Sequence, residues 1–129
     1  MPRVSATFFL LTCLCLLIGM GWGMHMARMS DFTMAPAHAH LNILGGVLSA
    51  IFGGFYAMTR ETYSPRLAWI NFALSLIAVS VTIPALAMLL MTNDEAKYGP
   101  FTGIGSTIMV LSLLTFTISV VREVVRRRA

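Results

Sequence analysis

Two histidines separated by one residue, His38 and His40, stand at the head of an apolar run in the segment APAHAHLNILGGVLSAIFGGFYAM. Imidazole is a common ligand for transition metals and haem iron, and its unperturbed charge change lies near neutral pH. Within a membrane such a group is costly and marks ligation, proton transfer or a partner across a bundle. Pro36 suits the first turn of a helix. Positions i and i+2 of a helix are about 200° apart, so the two rings project from opposite faces. They cannot both reach one iron from the same helix, but they can serve two sites, one on each side. On the same helical wheel Asn42, Gly45, Ser49 and Gly53 share the His38 face, with Gly46 beside them, while Leu44, Val47 and Ile51 share the His40 face. Small residues at this spacing let another backbone, or a flat cofactor, come close. Gly45 and Ser49 therefore join His38 and His40 as candidate cofactor-binding residues, although helix packing alone also accounts for the small stripe.

A second constellation lies just before the first. Met24, His25, Met26, Met29 and Met34 crowd one segment, and Met88 and Met91 fall at the end of a later apolar run. Thioethers and imidazoles suit Cu(I), so a copper site built from Met24, Met26, Met29, Met34 and His25 is the rival to haem. Methionine is also a flexible apolar filler, which accounts for the same residues without a metal. His25 allows one more arrangement, in which a single chain holds haem between His25 and a histidine of the later run. Cys13 and Cys15 are two apart, so their side chains diverge and a disulfide is not expected. Asp94 and Glu95 read as a solvated turn. No Ser-His-Asp set, phosphate loop or pair of intramembrane carboxylates is present.

The elements that must position these residues are membrane helices. Of 129 residues, 57% are hydrophobic and only 11% charged, too apolar for a soluble fold to hide. A membrane-spanning helix needs about 20 predominantly apolar residues, and four stretches qualify, 6–24, 38–58, 67–91 and 101–121. Backbone groups in lipid must be paired internally, and the alternating pattern of a barrel is absent, so an all-α four-helix bundle forming one domain over 1–129 is expected. The first stretch resembles the core of a secretory signal, but its length and the lack of an A-x-A-like cleavage site favour a retained helix. The short link TRETYSPR makes the second and third helices antiparallel neighbours. Pro84 is expected to kink the third helix. Tyr56, Tyr63 and Trp69 read as aromatics of one interface, and Trp22 and Tyr98 as aromatics of the other.

With both termini inside, Arg3, Arg60, Arg66, Arg122, Arg126, Arg127 and Arg128 share one side against Arg28 and Lys97 on the other. This positive-inside bias puts loops 24–37 and 92–100 outside, which for a bacterial inner membrane is the periplasm. The net charge of +4 and the basic tail follow from topology and an anionic lipid surface, so nucleic acid is not an expected partner.

The segment PAHAHLNILGG, opening a membrane helix from the outer side, resembles the catalytic subunit (subunit I) of the haem-copper oxidase superfamily, nitric oxide reductases in particular. It also resembles short four-helix bacterial membrane proteins described as oxidase-subunit-like. In the oxidase family an H-x-H pair gives one histidine to each of two haems, and twelve helices form three arcs of four, with the principal histidines on the second helix of each arc. Here the pair again lies on the second of four helices. The resemblance thus implies a homotrimer in which His38 of one subunit and His40 of the next face a shared pore, with haem b held between histidines. It further implies electron transfer or gas sensing with an unidentified redox partner. The chain departs from the family in lacking an HPEVY-like histidine–tyrosine segment and any histidine on the third helix, so oxygen or nitric oxide reduction is not expected. A copper-binding accessory module and a purely structural assembly protein are the other readings.

The topology is open to a direct check. In a chain whose Cys13 and Cys15 are replaced by Ala, a Tyr63→Cys variant in intact cells is predicted to react with a membrane-impermeant maleimide only after permeabilisation. Labelling from outside would reverse the assignment.

Overall fold

A computed structural model describes residues 1–128. Four helices follow one another: α1 (Arg3–Met29), α2 (Ala35–Met58), α3 (Pro65–Thr92) and α4 (Glu95–Arg128). Each is long and apolar enough to cross a membrane. Each also runs past its apolar stretch, because hydropathy marks the lipid-soluble part whereas the end of a helix is set by capping. Ser30 ends α1 in the left-handed region at φ 50°, with its N–H donated to the Ala27 carbonyl and that of Asp31 to Met26. The Ser64 hydroxyl accepts from the N–H of Leu67 at the start of α3, ahead of Pro65 in its first turn, and Asn93 closes α3 at φ 55°. Asp94 accepts from the N–H of Lys97, so Asp94 and Glu95, expected as a turn, start α4 instead, and Pro100 lies inside it. Likewise α3 continues as helix through Pro84.

One irregularity matters for the site. Residues Leu41–Val47 of α2 form a π-helical stretch, which widens the turn by about one residue. Both Gly45 and Gly46 are consequently buried, where a regular wheel places only Gly45 at the centre of that face.

The packing of α1 on α2 is set by glycines. A methyl group at Gly53 would lie 2.9 Å from Phe8 Cβ and 3.2 Å from the Ser5 carbonyl oxygen, and one at Gly45 would lie 2.5 Å from Cys15 Sγ. Two α1 hydroxyls cross the same seam: Ser5 donates to the Gly53 carbonyl at 2.6 Å, and Thr12 to that of Gly46 at 3.0 Å. On the other side of the bundle Gly105 of α4 rests on Thr82 of α3.

A buried polar chain ties α2, α3 and α4 together. Asn71 Nδ2 donates to Tyr56 Oη at 3.1 Å, Tyr56 Oη lies 3.3 Å from Ser119 Oγ, Ser112 donates to Asn71 Oδ1 at 2.6 Å, and Ser75 Oγ lies 2.7 Å from Ser112 Oγ. Tyr56 is thus fully buried rather than an interface aromatic, which is affordable because its hydroxyl is bonded within the bundle. Around it, at the end carrying the termini, Phe8, Phe52, Phe72 and Phe116 pack edge to face or tilted, with Phe52 and Phe116 centroids 4.5 Å apart. Toward the other end the core uses smaller groups, Leu11, Cys15, Leu41, Ala78, Val79, Ile83 and Met109.

Gly53→Val should destabilise the protein in detergent by about 1–3 kcal/mol, the usual cost of overpacking. Gly54→Ala, in open space on the next position, should be neutral or stabilising by up to about 1 kcal/mol through helix propensity. Asn71→Leu should cost about 1–2 kcal/mol, near the upper range for interhelical bonds in membranes, because it removes one bond from each of the Tyr56 and Ser112 hydroxyls and leaves them only Ser119 and Ser75 as side-chain partners. Reversible unfolding in a graded detergent series measures all three.

Candidate functional site

The site begins where α2 begins. With Pro36 in the first turn, the N–H of His38 bonds the Met34 carbonyl at 2.9 Å and the helix proceeds directly into the π stretch. The rotation of α2 is already fixed by its glycine seam, and this decides where each ring goes.

His38 turns toward α1. Its ring is half-buried over Gly23, where a methyl group would stand 2.9 Å from Cε1. One turn further, Asn42 occupies the space above Gly19. His38 Nε2 and Asn42 Nδ2 lie 3.5 Å apart, a long contact, while His38 Nδ1 and Asn42 Oδ1 are buried without a hydrogen-bond partner. If Nε2 accepts from the amide, the proton must sit on Nδ1, where it meets no acceptor; reversing the amide leaves a bare lone pair on Nδ1 instead. Ser49 Oγ, further along the same face, is also buried and unpartnered.

His40 turns the other way. Its ring is exposed, and Nδ1 lies 2.7 Å from the Pro36 carbonyl oxygen. A carbonyl can only accept, so Nδ1 carries a proton, and in the neutral ring Nε2 keeps its lone pair. Below the ring Ile43, Val47 and Ile51 form an outward apolar column, each more than half exposed, while Leu44, expected on this face, packs against the core. The opposed directions expected from the wheel are therefore the directions found.

Gly45 and Ser49, expected beside a cofactor, face the interior. On this stripe α1 lies against Gly45, Gly46 and Gly53, with Cys15 and the α3 residue Val79 against Gly45.

The methionine-rich segment divides. His25, Met26, Met29 and Met34 meet Trp22 and the α3 residue Met91 around a hollow of about 440 Å³ at the histidine end, with Asp31 and Thr33 at its rim. Met24 does not join them: it shares a separate hollow of about 400 Å³ with Gly21, His25 and Arg28. Met88 lies in an apolar groove with Pro84, Tyr98 and Phe101. Neither hollow lined by His25 includes His38 or His40. Among the described residues no group of three or more histidine, cysteine, aspartate or glutamate side chains is assembled as a metal site.

The buried polar chain through Asn71 was missed by sequence reasoning, although an asparagine inside an apolar run was the available signal. Trp22 and Met91 were also missed as neighbours of the methionine segment, because nothing local in sequence joins them. Compared with protein-family models, curated proteins and solved structures, the chain matches none. What stands is an all-α protein of four helices, each long and apolar enough to span a membrane, with two histidines of one helix turned to opposite sides.

Proposed function

We propose that this chain is a haem-binding protein of the bacterial inner membrane, with both termini cytoplasmic, in which His40 supplies an axial ligand on the outward face of α2. The observation that carries this reading is the state of the His40 ring. Ligating histidines characteristically donate their second ring N–H to a carbonyl or carboxylate, which fixes the tautomer and raises ligand basicity. The Pro36 carbonyl plays that part at 2.7 Å, and Nε2 is left free on the outside.

The surroundings fit a porphyrin. Ile43, Val47 and Ile51 offer a flat apolar flank directly below the ring, and a free imidazole at the head of a lipid-facing column is costly unless it is used. The space between α1 and α2 is closed by direct contact at Gly45 and Gly53, so haem b lies between copies rather than inside one chain. In a homotrimer, the assembly implied by the three-arc resemblance, the second ligand would be His38 of the adjacent copy, whose ring, half-buried over Gly23 of its own α1 and in long contact with Asn42, would have to turn out of that seam to reach the haem. Bound through two imidazoles, haem supplies one-electron transfer; the protein's own part is to hold the two rings at fixed rotations and to cover the macrocycle with apolar side chains.

Purified in mild detergent, the protein is expected to show the split visible bands of a six-coordinate haem on reduction. His40→Ala should abolish them and His38→Ala should reduce haem content, while His25→Ala should leave it near the starting level. An unchanged spectrum in both second-helix variants would end the proposal.

A further inference from the structure

The hollow at the histidine end is independent of His38 and His40, and its lining follows a different chemistry. Met26 and Met29 come from the last turns of α1, Met34 from the segment entering α2, and Met91 from the end of α3. Three chain segments thus bring four thioethers to one space, together with the His25 imidazole. Met26 is buried at 5% exposure, and Met29 and Met91 stand open at 62% and 64%.

We infer that this hollow binds a soft monovalent cation, Cu(I), through the thioethers of Met29 and Met34 and the imidazole of His25, with Trp22 as a wall. Met26 and Met91 complete the lining. Neutral sulfur and nitrogen donors favour Cu(I), while Ca²⁺ or Mg²⁺ would need several oxygen ligands. One carboxylate stands at the rim, Asp31, and its Oδ1 already accepts from the Thr33 N–H at 3.0 Å and the Thr33 hydroxyl at 2.6 Å. Those bonds hold the carboxylate in its turn at the edge of the hollow. The same turn, following the left-handed Ser30, reverses the chain and carries Met34 back over the end of α1. Arg28 lines the other hollow, with Met24. An indole face attracts cations, and Trp22 therefore serves as both wall and optical reporter.

The test uses Ag(I), a redox-silent soft ion, titrated in chloride-free buffer into the detergent-purified protein. Cys13 and Cys15 are replaced by Ala to remove competing thiols, and Trp69 by Phe to leave Trp22 as the only indole. Saturable quenching of Trp22 at one Ag(I) per chain is expected, undiminished by excess Zn²⁺. Met29→Leu and Met34→Leu keep apolar volume but remove the thioether, and each should weaken binding about tenfold or more, as loss of a metal-supporting group does. His25→Ala should do the same, and Met24→Leu should have no effect. Absence of saturable binding, displacement by Zn²⁺, or equal losses in Met24→Leu and Met29→Leu would overturn the inference. Haem absorbance followed in the same Met29 and Met34 variants separates this site from the haem reading, since it should not change.

Discussion

The architecture depends on how closely α1 and α2 approach. Lipid provides no hydrophobic drive for helices to associate, so they are held by dispersion contacts and by hydrogen bonds that water cannot replace. Both meet on the seam between α1 and α2. Gly53 lies against Phe8 and the Ser5 backbone, Gly45 against Cys15, and the hydroxyls of Ser5 and Thr12 reach across to glycine carbonyls that larger residues would hold out of range. With the seam closed, α2 has no freedom to rotate. His38 must then lie over Gly23, and His40, nearly opposite on the wheel, must face away.

The two ends of the bundle differ in how well their polar groups are satisfied. At the terminal end the Asn71, Tyr56, Ser112 and Ser119 side chains are buried and bonded within a cage of aromatic rings. From the middle to the histidine end lie the buried polar atoms without partners among the described residues: Ser49 Oγ, Thr82 Oγ1, Asn42 Oδ1 and His38 Nδ1. Unsatisfied buried groups are few in folded proteins and call for an explanation when they occur together. The aromatic end is bonded within the bundle, and the end rich in histidine and methionine holds most of the unpartnered polar atoms. The π stretch of α2 marks the boundary on that helix, running from Leu41 to Val47 directly after the histidines.

The four helices were legible because their signal is composition over long windows, which tertiary contacts cannot override in lipid. The opposite directions of His38 and His40 were legible because they depend only on helical geometry near the start of α2. The identity of the partner on the glycine face was not. A small-residue stripe states that something comes close, and it reads the same whether α1, another subunit or a porphyrin fills it. The π turn was equally invisible, since a wheel drawn at a fixed angle per residue cannot register an inserted one. Met24 was indistinguishable by type and spacing from Met26, Met29 and Met34, which line the hollow; the turn after Ser30 and the position of α3 separate them.

Because α1 seals the inner face of α2, the account requires any haem to sit between copies of the chain. Native mass spectrometry of the protein released from detergent tests this most directly. A trimer that carries haem and gives haem-free monomers on dissociation is the predicted result. A monomer that retains its full haem complement would contradict it.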